Sequence, residues 1–422
     1  MTPPPQLKRQ LGLVGATTTG LGSIIGTGVF VSIGTATETA GSWVLVAIAL
    51  AAFVAICNGL NAAQLAANHS VSGGAYEYGY RWLNPQWGFV AGWTFLLAKS
   101  ASAATAALGF AGYLLKALGI GSQLEALLLL PLAAGAVVLL TLVVLLGVQR
   151  SQWVNLVILT VTLAALGFFV VQGLPLAIAQ GRLRLDPATL DLPSTLRASA
   201  LMFVAYAGYA RIAVLGEEVI APRRTIPQAM ALTLLGSMVL YGAVGIVGVG
   251  LGITTGPAPL ETAAQQFPIP FSPQVLAVGA IAAMLGVLLN LILGLSRMVL
   301  ALARRRDFPG FLAQLNAKGT TPVAAILTVG LAIALITLTG NVKSTWSFSA
   351  FSVLIYYAVT NLAALQLTKE QLLFPRWLAI AGLGACLFLA FWVEWQIWLL
   401  GLGLIGLGLI WQFFSQRRSS SS

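Results

Sequence analysis

Lys99 stands about a third of the way along a long apolar stretch, in FLLAKSASAATAALGF. An ionised group in hydrocarbon is costly, so such a residue pairs with a ligand, carries a proton, or snorkels toward the interface. Arg211 is a second basic residue inside an apolar segment, AYAGYARIAVLGEEV. Two glycine-dense breaks accompany them: Gly20, Gly22, Gly26 and Gly28 in GLGSIIGTGVF, and Gly208 and Gly216 on either side of Arg211. Glycine inside a membrane helix permits close packing, and equally permits local unwinding that turns backbone N–H and C=O groups toward a ligand. This is the chemistry of binding and charge carriage. Bond-breaking chemistry finds no support. The single histidine, His69, stands at a helix end without a nucleophile and acid to complete a triad. Ser72, Gly73 and Gly74 read as a backbone hinge rather than a nucleophilic serine. Cys57 and Cys386 both fall in apolar segments with no metal-ligand spacing, so no disulfide framework and no metal site is expected.

The elements that must position these residues are membrane helices. Of 422 residues, 58% are hydrophobic and 8% charged, against roughly a quarter charged in soluble domains. The mean hydropathy of +0.92 leaves too little polar surface to coat a water-soluble particle. Apolar stretches of bilayer-spanning length recur from Leu11 almost to the C-terminus. They predict an all-α membrane protein with about twelve spans, near 11–35, 43–67, 88–115, 125–147, 152–173, 196–215, 229–253, 273–303, 322–339, 347–367, 375–393 and 395–414. The net charge is +11, which in a soluble protein would point to nucleic acid. Here Lys and Arg gather in the loops of one side, Arg223, Arg224 and the Arg304–Arg306 triplet among them. The positive-inside rule accounts for that asymmetry, so no nucleic-acid partner is expected and both termini are expected on the cytoplasmic side. The short polar N-terminus leads directly into the membrane domain, without a cleaved leader. Aromatic residues Phe391, Trp392, Trp395 and Trp398 read as an interfacial anchor between the last two spans.

The two glycine breaks fall in corresponding positions, the first and sixth spans, which is the pattern of an inverted-repeat transporter with its site at the bilayer midplane. Four segments, in order, resemble the amino acid–polyamine–organocation (APC) superfamily, and bacterial amino acid permeases within it. They are GSIIGTGVF (22–30), LAANHSVSGGAYEYGYRWLNPQWGFVAGW (65–93), FVAYAGYARIAVLGEEVIAPRRTIPQA (203–229) and SRMVLALARRRDFPGFLAQLNAKGTTP (296–322). The resemblance implies a leucine-transporter-like fold. Spans 1–5 and 6–10 would form a 5+5 inverted-repeat core over residues 11–367, with two peripheral helices over 368–414 and tails at 1–10 and 415–422. It further implies transport of amino acids across the cytoplasmic membrane by alternating access.

The same resemblance places the substrate at the two breaks, on Ser23, Ile24, Gly26, Thr27 and Gly28 and on Phe203, Ala205, Tyr206 and Gly208. Unwinding at Ser23–Gly28 would free N–H groups at the start of a half-helix, suited to a carboxylate. Unwinding at Phe203–Gly208 would free carbonyls, suited to an ammonium. Ser23 and Thr27 have two readings, contact with substrate or a hydrogen bond to their own helix backbone. Tyr206 and Tyr209 either line the cavity or pack. The family commonly has an acid where Ala210 stands and Phe where Val204 stands, so that charge and that aromatic gate are missing. Glu217, Glu218, Arg223 and Arg224 match the family's cytoplasmic loop, either as a salt-bridged inner gate or as a solvated loop. Some proton-coupled members carry a lysine in the fifth span, where Thr162 stands here. Lys99 is then the proton-coupling candidate, with discharge of a buried ammonium suiting the role. Asn290 either binds an ion or substrate or satisfies backbone. No acidic cage for sodium is visible and no cofactor is expected. The partners expected are a small amino acid substrate and the lipid bilayer, while oligomeric state has no signature. A polyamine carrier is disfavoured by basic residues and no acid in the core. A transport-inactive scaffold is the remaining alternative, since neither a pore-lining ring nor paired catalytic groups appear.

Overall fold

The computed structural model describes the chain apart from residues 1–8, 10, 72, 147–151, 184, 215, 217, 254, 255, 257, 317–320, 421 and 422. The hinge residue Ser72 and the gate candidate Glu217 lie outside the described residues. The first break divides α1 (Leu13–Ile24) from α2 (Ile33–Ala40). Next come α3 (Val44–Asn68), α4 (Ala75–Trp82), α5 (Pro85–Ala117), α6 (Ser122–Leu145) and α7 (Gln152–Ala179). The second break divides α8 (Leu192–Tyr206) from α9 (Ala210–Val214). They are followed by α10 (Pro222–Leu251), α11 (Pro259–Ala264), α12 (Ser272–Arg304), α13 (Val323–Thr337), α14 (Val342–Leu365), α15 (Trp377–Ala390) and α16 (Trp395–Ser420).

Each of the twelve expected segments contains helix among its described residues. Among the described residues, eight helical stretches are long and apolar enough to cross a membrane, the first being the 56-residue run Leu13–Asn68, and α13 and α15 are shorter apolar helices. Two short helices escaped the apolar-length criterion, α4 and α11. The last helix does not stop at residue 414 but continues to Ser420, so most of the segment read as a polar tail extends α16. Helix α5 starts where its sequence dictates. Asn84 accepts a hydrogen bond from the Trp87 amide at 3.0 Å, and Pro85 occupies the first turn, where its missing N–H costs nothing.

Small residues decide which helices are central. The Ala/Ser/Thr run of α5 from Ser100 to Ala107 lets neighbours approach closely, and the apolar windows of α5 and α14 are 72% and 78% buried. The hydroxyls of Ser102 and Ser349 lie 2.7 Å apart, and those of Thr105 and Thr345 2.8 Å apart, joining α5 to α14. By contrast α6, α7 and α16 are 28%, 28% and 17% buried, the exposure expected of helices facing lipid. Helix α15 is tied to the core by a buried amide cluster. Asn361 donates to Asn58 at 2.6 Å and accepts from Asn61 at 2.8 Å, and the Asn58 amide reaches Cys386 Sγ at 3.1 Å.

Glu261 on α11, outside the spans, is 4% exposed, and one carboxylate oxygen has no hydrogen-bond partner. Burial pushes its carboxyl from the usual 4.5 up to about 7, against the pull of Lys116. A carboxyl raised in the folded state favours folding in acid, and that contribution is lost as pH climbs from about 4.5 through about 7. Glu261→Gln is therefore expected to match the native protein's melting temperature near pH 5. It should exceed it by a few degrees, ~2–4 °C, at pH 8. Thermal unfolding in detergent across that range checks this, and a pH-independent difference would refute it.

Candidate functional site

The first break follows from a run that cannot continue a regular helix. Helix α1 ends at Ile24, Ile25 is extended (φ −79°, ψ 104°), and the chain re-enters helix through a wide turn at Gly28–Ser32. Val29 and Phe30 both donate to the Gly26 carbonyl, at 3.1 and 3.2 Å. Among the described residues, the amides of Gly26, Thr27 and Gly28 donate to no other backbone group. They form the N-terminal end of the following half-helix, where unpaired donors and the helix dipole favour negative charge.

The second break lies slightly later than the sequence predicts. Helix α8 stays regular to Tyr206, and the change comes in a tight turn at Ala207–Tyr209. The Ala207 carbonyl accepts from the Tyr357 hydroxyl at 3.2 Å and from Lys99 Nζ at 3.4 Å. The cause is the neighbouring break. A Cβ on Gly208 would lie 2.3 Å from the Ser23 carbonyl oxygen, and one on Gly28 would lie 2.5 Å from Ala205 Cβ. The two breaks thus touch backbone to backbone, and only glycine permits it. Tyr241 ties them from behind, its hydroxyl lying 2.8 Å from the Ile24 carbonyl and 3.2 Å from that of Ala205.

Between the breaks, α5, α12 and α14 leave a cavity of about 40 Å³. Six of the nine residues expected to bind substrate line it: Ser23, Ile24, Thr27, Gly28, Ala205 and Gly208. Gly26 packs instead toward Val287 of α12, Phe203 stacks edge-on to Tyr357 at 5.6 Å, and Tyr206 packs on Tyr241 at 4.9 Å. Lys99 lines the cavity beside Ser102. Apolar walls come from Val204, Val287, Leu291 and Trp346, whose indole donates to the Leu201 carbonyl at 2.9 Å. Asn290 is not among the lining residues, and Tyr209 packs on Tyr357 at 5.3 Å.

The two readings of the hydroxyls separate. Ser23 donates to the Thr19 carbonyl at 2.8 Å, one turn back in its own helix. Thr27, 3% exposed, has a hydroxyl oxygen with no hydrogen-bond partner in the structure. An unpaired polar atom in such surroundings costs about 1–3 kcal/mol, which a ligand group can recover.

Of the four charged loop candidates, three fall among the described residues. Glu218, Arg223 and Arg224 form no salt bridge among the described residues, and both arginines are exposed. What joins this loop to helix α1 is backbone: Leu11 donates to the Glu218 carbonyl and Ile220 donates to that of Leu11, both at 2.9 Å. The ion pair at this end of the molecule is Arg305–Glu77, between the end of α12 and α4. The Arg305 guanidinium lies 4.4 Å from the Tyr80 ring centre. Asp307 accepts from the Tyr76 and Tyr80 hydroxyls at 2.9 and 2.7 Å, and Trp411 of α16 donates to its carbonyl at 2.9 Å. Sequence reasoning missed this cluster, because its members come from three segments more than a hundred residues apart.

Comparison with known proteins gives the site its context. The sequence matches the amino acid permease family over residues 11–422. It is 39% identical over 416 residues to an uncharacterized transporter of Mycobacterium tuberculosis, covering 96% of this chain and 91% of the relative. It is 26% identical to a branched-chain amino acid permease of Bacillus subtilis, covering 98% and 94%. It is 29% identical to human cationic amino acid transporter 4, covering 86% of this chain and 61% of the relative. With helices fit to cross a bilayer and a family match from the first break to the last helix, this chain belongs to the amino acid permease family, integral membrane proteins that transport amino acids and are not enzymes.

Proposed function

We propose that the protein moves an amino acid across the cytoplasmic membrane by alternating access, coupled to protons or to exchange, with both termini on the cytoplasmic side. The observation that carries this is the contact of the two breaks around one cavity. It sets unpaired amides and the Thr27 hydroxyl against Lys99 and the Ala207 carbonyl. The amides and hydroxyl suit a carboxylate, and carbonyls at the α8 end suit an ammonium. A cavity of about 40 Å³ has room for water but not for a whole amino acid. Binding therefore requires the half-helices to part, which is the motion alternating access needs. Lys99 is the proton carrier in this reading, and sodium has no acidic cage. Counterflow of radiolabelled amino acids in proteoliposomes tests it. Lack of exchange for every amino acid would refute it.

Closure on the cytoplasmic side is assigned to the Arg305–Glu77 pair and the Asp307 cluster. A conformational equilibrium moves only when the altered contact differs between states. Arg305→Ala is expected to raise cytoplasmic accessibility of a cysteine placed in the cavity, by about fivefold for ~1 kcal/mol of lost contact. Arg223→Ala and Arg224→Ala, exposed and without a salt bridge among the described residues, should leave it within about twofold. The reverse ranking would restore the Glu217, Glu218, Arg223 and Arg224 cluster as the inner gate.

A further inference from the structure

The cavity can hold more negative charge than one carboxylate supplies. One anion site is the start of the half-helix after the first break, where the amides of the lining residues Thr27 and Gly28 accompany the unpartnered hydroxyl of Thr27, a residue 97% buried. The second is Lys99. Its one hydrogen bond in the structure is the long contact of 3.4 Å to the Ala207 carbonyl, while an ammonium has three donors. It lines the same cavity as Thr27, and among the described lining residues it is the sole ionisable side chain. Ala210 contributes no acid to offset it.

Charge balance then selects the ligand. A zwitterion beside protonated Lys99 leaves the closed site at +1, and an uncompensated charge away from water is strongly disfavoured. A cationic side chain would leave it at +2. An amino acid with a carboxylate side chain brings the total to zero. Each of its carboxylates then has its own donors: amides and Thr27 for one, Lys99 for the other.

Resting on the transport reading above, we propose that the preferred substrate is a short acidic amino acid, with Lys99 as the residue that selects its side-chain carboxylate. The close walls of Val204, Val287, Leu291 and Trp346 favour short side chains, and no lining residue supplies a carboxylate to pair a cationic one.

Aspartate against asparagine, and glutamate against glutamine, isolate charge at nearly constant shape, with ornithine as the cationic probe. Binding is read by ligand-induced thermal stabilisation of the purified protein, and transport by counterflow. Aspartate and glutamate are expected to bind at least about tenfold more tightly than their amides, the order expected of a charge-assisted hydrogen bond, with ornithine weakest. Lys99→Met should erase the preference of acid over amide, while Lys99→Arg, which keeps the charge, should retain it. Amides or ornithine binding as well as the acids would overturn the assignment, and so would a Met variant that keeps the acid preference. Should Lys99→Met fail to fold, the native protein's acid–amide ratio and the Arg variant still decide. If neutral amino acids exchange and acidic ones do not, this inference falls alone. If no amino acid exchanges, the transport reading falls with it.

Discussion

Gly208→Ala is expected to abolish amino acid uptake while leaving the protein inserted in the membrane. The added methyl would sit 2.3 Å from the Ser23 carbonyl oxygen and 2.7 Å from the Ile24 amide nitrogen, both backbone atoms of the facing break. Backbone cannot swing aside as a side-chain tip can, so the half-helices must separate. The cavity that depends on their contact would lose its Thr27 and Ala205 walls together. A loss of about a hundredfold or more in uptake follows from displacing binding groups by about an ångström. Gly26→Val should also impair transport, but by less, since the atoms it meets are the side-chain carbons of Val287 on α12, which can give way. Uptake by cells, with the inserted protein measured in membranes, separates lost function from lost expression. Normal uptake by Gly208→Ala would mean that the breaks need not touch during transport.

What the sequence disclosed, and what it hid, both follow from how local the cause is. Glycine positions and apolar length are local, so the two breaks and the spans could be read from residue types. The fate of a hydroxyl is not. Ser23 and Thr27 are four residues apart in the same motif, yet only Ser23 finds the carbonyl one turn back, because Thr19 precedes the break. The carbonyl one turn back from Thr27 belongs to Ser23, and that oxygen is turned against Gly208. The walls from Val287, Leu291 and Trp346 belong to helices that meet the breaks only in the folded chain and carry no motif of their own. Helix α4 was hidden because it is short and half polar, AYEYGYRW, which apolar length cannot detect. The ion pair between α12 and α4 was hidden for a related reason. Adjacent opposite charges at Glu218 and Arg223 look paired in sequence, whereas the partner Glu77 uses is Arg305, 228 residues away.

Lys99→Met is expected to uncouple uptake from the pH gradient while leaving substrate counterflow measurable. Lys99 reaches the cavity from α5 and touches the second break directly at the Ala207 carbonyl. A proton gained or lost there changes the charge of the site and the strength of its hold on that break. Carriage by this residue requires that both protonation states occur within the cycle, and a basic group at membrane depth is by default a functional one. The other polar groups that line the cavity or share that carbonyl are uncharged: the Tyr357 hydroxyl on the same carbonyl, Ser102 on the same helix, and Thr27 and Trp346 across the cavity. Methionine keeps much of the length and removes the charge, so the helices should pack as before while the site no longer exchanges a proton. In liposomes without sodium, an inward proton gradient should then accelerate uptake by less than about twofold, against ~10-fold or more for the native protein. That difference corresponds to an energetic coupling of ~1–3 kcal/mol. Counterflow, which needs no net proton movement, should persist at a reduced rate. Full gradient-driven uptake by Lys99→Met would make the lysine a binding residue alone, and Glu261, whose carboxyl is raised to about 7, would be the next group to test as the carrier.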